Sequence, residues 1–424
     1  MKLSNIIPAV FAATIALTLA TTASAANWYV DPAGNDSNTC TAPGAASACM
    51  TITGAMGKAS SGDTIHVAIG NYNEQVQITK TLTLLGAQAT VDARTRSGAE
   101  STITNTCGPV QIMADSVVLD GFTVQGSTDS DPCFIAGIWT NPGFTGTQGG
   151  HQILNNIIQN NISGIELDNT GAIPALVQHN LIQNNNNPGP GSGNAIQVNF
   201  GLNNATIDGN KFSGHSNSSV LISDFGGNDT NITISNNELV GGTPERFVLG
   251  GVTNSTISGN TSIGSTALNG PVRLFGGNSN IAINNNILKN GTRGIKVDDP
   301  FSVGPNTGVT AHTNCIVGNS VAGLELTPGG HSGSLNATNN WWGSATGPMI
   351  ASNPSGTGDK IIDPDGVVIY SPFLASTFGT PCAPPPVGPP TTANQCKNNG
   401  WQTFNTPRTF KNQGDCIQYV NTGK

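Results

Sequence analysis

The stretch Ile234-Ser-Asn-Asn-Glu-Leu239 decides the fold, because its pattern returns throughout residues 151–342. The pattern is an apolar residue, two spacers, an asparagine, one further residue and a second apolar residue, for which Ser262 is the one polar exception. The central asparagines recur at steps of 23 to 30 residues and are Asn156, Asn180, Asn210, Asn237, Asn260, Asn286, Asn314 and Asn340. A fixed period in this range predicts a solenoid.

The residues between these asparagines predict strands. Helical repeats need long 3.6-residue periodicity, whereas this chain has short alternating runs such as Ile165-Glu-Leu167 and Leu324-Glu-Leu326, bounded by Gly, Asn, Ser or Pro. About two such strands fit in each period, with room for a third short one. Stacking of equivalent strands with right-handed connections predicts an all-β fold, a right-handed parallel β-helix solenoid of about ten or more coils.

The asparagines have a predicted structural role in this coil. A sharp bend between strands needs a residue with positive φ, which Asn tolerates and Gly tolerates better. Gly121 and Gly86 continue the series upstream, at intervals of 35 residues before Asn156. Stacked asparagine side chains also form hydrogen-bonded ladders from one coil to the next. We therefore expect a ladder of asparagines in which backbone conformation is the main constraint.

The N-terminus and the composition predict export. Residues 1–25 combine Lys2, an apolar run and a small-x-small site at Ala23-Ser-Ala25, as in a signal peptide. Charged residues make up only 9% of the chain, and the net charge is −8. No later apolar segment predicts a membrane span, and the acidic balance argues against nucleic acid. We expect a secreted protein, extracellular or held at the cell surface.

The eight cysteines form an even set without a CxxC motif, which predicts disulfides in an oxidising compartment. Sequence does not fix their pairing. Proximity in the chain favours three pairs and leaves a fourth: Cys40–Cys49, Cys107–Cys133, Cys396–Cys416 and Cys315–Cys382.

The N-terminal part predicts the first coils and a cap. Thr51–Ala59 is the one plausible helix here, and a short capping helix would cover the first apolar layer of a solenoid. This helix, Gly70-x-Tyr-x-Glu74, Leu82-Thr-Leu-Leu-Gly86 and the later Asn339-Asn-Trp-Trp-Gly343 resemble secreted right-handed parallel β-helix proteins of the pectin-lyase-like superfamily. The resemblance implies the fold for residues 26–379, and it leaves lyases, hydrolases and noncatalytic surface proteins open as functions.

The C-terminal region departs from the repeat. Residues 380–395 are rich in proline and predict an extended linker. Residues 396–424 predict a small disulfide-closed tail, similar to a short tail found on diverse secreted bacterial proteins. Binding of this weakly basic tail to anionic wall polymers and a purely stabilising role both stay open.

Stacking geometry selects the candidate site residues. In a parallel coil, equivalent outward side chains form columns, and strands near Ile138, Ile165, Ile196, Leu221 and Val248 are aligned as equivalents here. Around residues 245–248 an alternative register, shifted by one residue and based on the Phe-Gly pairs, stays open. The charged residues on consecutive coils, which we take as candidate catalytic residues, are Arg273, Lys296, Asp298 and Glu325. The candidate substrate-binding residues are Glu166, Asp168 and Asp299.

Two interpretations of these charges stay open. A polysaccharide lyase needs a base and a group that neutralises a substrate carboxylate, often Ca²⁺ held by Asp and Glu, whereas a glycosidase needs two carboxylates. The structural alternative is a surface salt-bridge ladder, which is common and weak. Trp341 and Trp342 suit either sugar stacking or a core cap at the last repeat.

The predicted function is therefore a secreted β-helix protein that engages polysaccharide or a cell-wall polymer along one face. The sequence leaves open whether the protein is an enzyme, which would be a polysaccharide lyase or a glycosidase, and Ca²⁺ is the only cofactor considered. The alternative is a noncatalytic cell-surface, adhesion or structural β-helix. The near-minimal late repeats favour that alternative, because enzymes of this fold usually carry long insertions beside a cleft.

Overall fold

A computed structural model describes residues 25–129, 133, 135–141, 148–223, 229–377, 381–382, 388–397, 400–404 and 406–424. Within these residues the main body is a coil of short strands. Successive coils stack through parallel pairing, which gives three sheets that run along one axis. The predicted signal peptide lies outside the described residues except for Ala25. The domain boundaries predicted at residues 379, 395 and 396 stay predictions.

We number the sheets in the order in which the chain passes through them within one coil, as sheet 1, sheet 2 and sheet 3. The described strands of sheet 1 are Asn27–Val30, Thr64–Val67, Thr83–Leu85, Val118–Asp120, Gln152–Leu154, Ala175–Gln178, Asn203–Asp208, Thr230–Ser235, Thr253–Ser258, Ser279–Asn284, Asn306–Thr307, Thr310–His312, His331–Ser332, Leu335–Asn336 and Val368–Ile369. Those of sheet 2 are Gly70–Tyr72, Ser101–Thr104, Phe122–Gln125, Ile157–Gln159, Leu181–Gln183, Lys211–Ser213, Glu238–Leu239, Thr261–Ile263, Ile287–Lys289 and Cys315–Val317. Those of sheet 3 are Val76–Ile78, Val110–Ile112, Ala136–Trp139, Ser163–Glu166, Asn194–Val198, Ser218–Ile222, Phe247–Leu249, Val272–Leu274, Arg293–Val297, Ala322–Leu326, Pro348–Met349 and Gly358–Ile362.

The number of coils agrees with the sequence prediction. Sheet 2 has 10 strands in the described residues, one for each coil that also contributes to the other two sheets. Alternate strand residues point inward, so isoleucine, leucine, valine and phenylalanine from all three sheets form one continuous core. The predicted all-β parallel β-helix is confirmed.

The asparagine ladder lies inside this core, at the bend between sheets 1 and 2. All eight asparagines are buried. Oδ1 of Asn237, for example, accepts a hydrogen bond from the main-chain NH of Asn210 at 2.8 Å, and its Nδ2 donates to the carbonyl oxygen of Ile207 at 2.9 Å. The side chains therefore satisfy backbone groups that the bend would otherwise leave buried and unpaired.

The predicted backbone role of these asparagines is wrong by one position. Positive φ belongs to the preceding residue, such as Asn155 at 50° and Asn236 at 54°. Gly121, with φ of 81°, precedes Phe122, whose NH donates to Asn156 Oδ1 at 2.9 Å. The bend thus uses two adjacent positions. One tolerates the left-handed conformation, and the next supplies an inward amide.

Both ends of the coil are covered. The helix Ile52–Lys58 starts at the N-cap Thr51 and buries Ile52, Ala55 and Met56 against the first coil. At the other end Trp342 is fully buried in the core, whereas Trp341 is half-buried. The predicted capping helix is confirmed, and of the two tryptophans only Trp342 belongs to the core.

The C-terminal residues form a small helical unit. It contains the helices Ala393–Cys396 and Gln413–Thr422 and a 3-10 helix at Gly400–Thr403. A small apolar cluster of its own contains Cys396, Phe404, Phe410 and Cys416.

The eight cysteines form four disulfides, in the arrangement that proximity favoured. The pairs are Cys40–Cys49, Cys107–Cys133, Cys315–Cys382 and Cys396–Cys416. None of the helices in the described part of the chain has the length and apolar character needed to cross a membrane.

Candidate functional site

The outward side chains of sheet 3 form one column along the coil, which we call the outer column. Strand pairing aligns, in order, Gln77, Gln111, Trp139, Glu166, Gln197, Leu221, Val248, Arg273, Lys296, Glu325 and Ile362. The sequence alignment of Leu221 and Val248 with the inward Ile196 is wrong, because Val220 and Phe247 occupy those inward positions. The local shift places Leu221 and Val248 on the outer column instead.

One charged group lies on and beside this column. We call it the charged ladder and define it as Arg273, Lys296 and Glu325 on the column and Arg293 and Asp298 beside it. Arg273 donates to both oxygens of Asp298, from Nε at 3.0 Å and from NH2 at 2.7 Å. Lys296 Nζ lies 3.3 Å from Asp298 and 3.7 Å from Glu325, and Arg293 Nε lies 2.6 Å from Glu325 Oε2. The structure thus brings the four predicted residues together and adds Arg293.

These contacts define what the charged ladder can do. The side chains of Arg273 and Lys296 are 14% exposed, so solvent reaches part of both cations. The two carboxylates are already shared among three cations, which does not fit a Ca²⁺ site that needs several free oxygen ligands. Across the described residues no cluster of three or more His, Cys, Asp or Glu side chains suits a metal ion. The catalytic role of these residues stays a prediction.

Asp299 is separate from this ladder in its contacts. Its carboxylate accepts hydrogen bonds from the main-chain NH groups of Val303 at 2.9 Å and Gly304 at 3.0 Å. These bonds close the turn that follows the strand Arg293–Val297. Binding of substrate by Asp299 stays a prediction.

Glu166 and Asp168 form a second group, at the coil that precedes Gln197. Glu166 is fully buried, and its Oε2 accepts a hydrogen bond from Gln197 Nε2 at 2.6 Å. Its Oε1 is also buried and has no hydrogen-bond partner among the described residues. Burial, together with the nearby charge of Asp168, raises the pKa of Glu166 well above its ordinary value, although the Gln197 bond acts in the opposite direction.

Asp168, two residues further along the chain, is also buried but has different hydrogen-bond partners. Its Oδ1 accepts hydrogen bonds from the main-chain NH groups of Asn199 at 3.2 Å and Phe200 at 3.0 Å. Two carboxyl groups in unlike surroundings are the arrangement that separates a proton donor from an ionised carboxylate. The sequence placed these two residues together, but it did not indicate that Glu166 is buried.

A cleft of ≈ 200 Å³ opens beside Asp168, where the chain leaves sheet 3 and turns toward sheet 1. Its lining residues are Asn141, Gln148, Asp168, Asn169, Thr170, Phe200, Gly201 and Asn203. The Phe200 side chain is 45% exposed, so an aromatic face borders a wall of amide and hydroxyl groups. Polar groups beside an aromatic face are the chemistry that binds a sugar ring.

The sequence did not predict most of this cleft, because its residues come mainly from the irregular segments that lead from sheet 3 to sheet 1 in three coils. It also missed a second internal ladder at the bend between sheets 2 and 3. There Asn161 donates to Asn185 at 3.0 Å, Asn185 Nδ2 lies 3.2 Å from His215 Nε2, and His215 contacts Glu245 at 3.0 Å. The 24-residue step from Asn161 to Asn185 equals that from Asn156 to Asn180 and was a usable signal.

These features define the class: the chain is a right-handed parallel β-helix protein. A family described as "Right handed beta helix region" matches residues 194–356. No curated protein matches the sequence. The right-handed β-helix fold that the sequence predicted is confirmed.

Three of the solved structures that are similar to this chain share little sequence with it. Pectate lyase Pel9A is 13% identical, with 84% of this chain and 80% of that chain covered and a TM-score of 0.42. The catalytic unit of the GH87 alpha-1,3-glucanase from Streptomyces thermodiastaticus is 14% identical, with coverages of 76% and 66% and a TM-score of 0.49. A rhamnogalacturonan lyase is 12% identical, with coverages of 82% and 87% and a TM-score of 0.43.

Proposed function

We propose that this protein is an extracellular glycoside hydrolase that binds an extended polysaccharide along sheet 3 and cleaves it beside Asp168. The observation that carries the proposal is the carboxyl pair next to the cleft: Glu166, buried with a raised pKa, and Asp168, held by main-chain NH groups. Four disulfides support the extracellular location, because such bonds persist in oxidising compartments.

The proposed reaction divides its steps between the two carboxyl groups. Neutral Glu166 donates its proton to the glycosidic oxygen as the bond to the anomeric carbon breaks. Asp168 takes a proton from the water that adds to that carbon. Asp168 lies two residues beyond Glu166, the last residue of its strand. The inverting arrangement, with a water between the two carboxyl groups, is the one we propose.

The charged ladder extends the proposed binding surface along the same face. Arg273 lies four strands beyond Glu166 on the outer column, a distance of ~19 Å at the spacing of stacked strands. Phe275 and the exposed Phe301 pack edge to face beside it, with ring centroids 5.2 Å apart. A polymer that occupies the cleft and runs parallel to the coil axis would meet these groups several sugars away.

The second candidate function is binding without catalysis. One observation favours it: the Glu166 side chain is fully buried, so a substrate must displace neighbouring groups before it can take the proton. In that function the cleft and the charged ladder bind the polymer, and Glu166 only shapes the wall of the site.

Incubation of the mature protein with a panel of neutral and anionic polysaccharides, with and without Ca²⁺, tests both functions. New reducing ends without unsaturated products indicate hydrolysis, and unsaturated products indicate a lyase instead. Glu166→Gln should lower hydrolysis by about 10²–10⁴-fold while polymer binding persists. Glu238→Gln is the matched control, because Glu238 lies on sheet 2 and is half exposed. Binding without any product in the wild-type protein would support the noncatalytic function.

A further inference from the structure

A row of side-chain hydrogen bonds connects Arg246 to the buried carboxyl group of Glu166. Arg246 NH2 donates to Asn217 Oδ1 at 2.9 Å, and Asn217 Nδ2 donates to Asn194 Oδ1 at 2.9 Å. Asn194 Nδ2 donates to Gln197 Oε1 at 2.9 Å, and Gln197 Nε2 donates to Glu166 Oε2 at 2.6 Å. We call these four residues, Arg246, Asn217, Asn194 and Gln197, the amide relay.

The direction of the amide relay is fixed by its first residue. A guanidinium group only donates hydrogen bonds, so Asn217 must present its oxygen to Arg246 and its NH₂ group to the next residue. Each amide then repeats this orientation, and the dipoles align head to tail toward Glu166. Bonds in such a chain polarise one another in a low-dielectric interior. Asn194 and Gln197 are both buried, so this condition holds at the end nearest Glu166.

We propose that the amide relay is a positioning device that fixes which oxygen of Glu166 carries the proton. Because Gln197 can only donate to Oε2, that oxygen is held as an acceptor. The proton of the neutral acid is then left on Oε1, the oxygen without a partner among the described residues. The inference rests on the proposed function, in which the Oε1 proton is the one transferred to the glycosidic oxygen.

Two effects on Glu166 oppose each other at this position. Its neighbours on the adjacent strands are Trp139 and Gln197, and the charged group acting on it is Asp168, which favours the neutral form. The amide relay favours the ionised form, because it ends in a donor and begins at a cation. The relay therefore keeps the acid able to release its proton in spite of its burial.

Carbon-detected NMR titration of the Glu166 carboxyl group tests the inference without any substrate. Breaking the relay should move the Glu166 titration midpoint to higher pH. Asn217→Ala breaks it while the Arg246 charge remains, and Arg246→Met removes the cation. The double variant should shift the midpoint no further than the larger single shift, because both changes interrupt one chain. Arg246→Lys, which keeps the charge, should restore at least part of the wild-type midpoint.

The controls separate the relay from general charge effects and from loss of folding. Lys211→Met removes one positive charge on sheet 2 and should leave the Glu166 midpoint unchanged. An unchanged midpoint in folded Asn217→Ala, or additive shifts in the double variant, would overturn the inference, because Arg246 would then act only through space. If the relay shifts are seen but no polysaccharide is cleaved, the inference stands and the proposed hydrolase function fails.

Discussion

Glu245 accepts two hydrogen bonds from His215, one coil away, through the main-chain NH at 2.8 Å and through Nδ1 at 3.0 Å. Both side chains are buried, and Ser219 donates to the second carboxylate oxygen of Glu245. The pair continues the column that Asn161 and Asn185 begin. His215 and Glu245 thus make the hydrogen bonds between coils that asparagines make elsewhere in the molecule.

The presence of His215 and Glu245 where asparagines stand elsewhere predicts how variants of the pair change the stability of the fold. Glu245→Ala leaves the His215 and Ser219 donors buried without an acceptor, so it should destabilise the fold by about 3–5 kcal/mol. The double variant His215→Asn with Glu245→Asn should lose less, because two asparagines can rebuild the ladder. Thermal unfolding followed by circular dichroism measures both. A double variant that is no more stable than Glu245→Ala would show that the ladder does not accept asparagine here.

The tryptophans at the last repeat provide a second prediction. Trp342 is fully buried, so Trp342→Ala should lower the stability by about 3–5 kcal/mol and promote aggregation. Trp341 is half-buried, and Trp341→Ala should cost less. The midpoint of thermal unfolding and light scattering of each variant provide the check. Unchanged unfolding of Trp342→Ala would contradict its role as a core cap.

The fold was predictable because one physical requirement recurs in every coil. From Asn156 to Asn340, each bend between sheets 1 and 2 buries backbone groups that an inward asparagine amide satisfies, so an asparagine such as Asn237 appears at a regular step. The exact position of positive φ was not predictable, because Asn236 and Asn237 are identical residues with different tasks. Residue type alone does not separate them.

The candidate site was predictable only where it follows the repeat. Arg273, Lys296 and Glu325 share one column, so strand alternation was enough to group them. The cleft beside Asp168 is lined by irregular segments of several coils, and Glu166 is buried although it holds an outward position on sheet 3. Neither feature repeats along the chain, so the repeat pattern of the sequence does not reveal it.

Opposite pH dependences are expected from two buried groups. Burial lowers the pKa of His151 to about 4, so the folded state binds fewer protons than the unfolded state between pH 4 and 6.5. Stability should therefore fall as the pH drops through this range, by up to about 3 kcal/mol from this group. His151→Leu should remove that loss in urea unfolding measured across the pH series.

Glu166 supplies the internal comparison for this series. Its pKa in the folded state is raised above the ordinary value of 4.5. The stability that it contributes is complete below pH 4.5 and is lost as the pH rises through the folded-state pKa. Glu166→Gln should remove this loss on the alkaline side while it leaves the acid-side loss due to His151 in place. If the stability of Glu166→Gln and that of His151→Leu change with pH in the same way, the assignment of the two pH dependences to these residues is wrong.

The charged ladder yields the last prediction. The double variant Arg273→Ala with Lys296→Ala should weaken binding of anionic polysaccharides while binding of neutral ones changes little, because the lost groups are cations near the surface. Affinity electrophoresis in gels that contain each polymer measures this difference, and circular dichroism checks folding. Equal binding of every polymer by the wild type and the double variant would show that these residues serve only the salt bridges among themselves.

The asparagine ladder also determines how a molecule of this kind can change its length. A member such as Asn237 bonds to the coil before it and to the coil after it. Duplication or loss of one whole repeat therefore leaves the partners of every other repeat chemically identical. An insertion of part of a repeat within a bend would break the hydrogen bonds to both neighbouring coils. Insertion or deletion of whole repeats therefore changes the length of the coil in steps of ~4.8 Å along its axis.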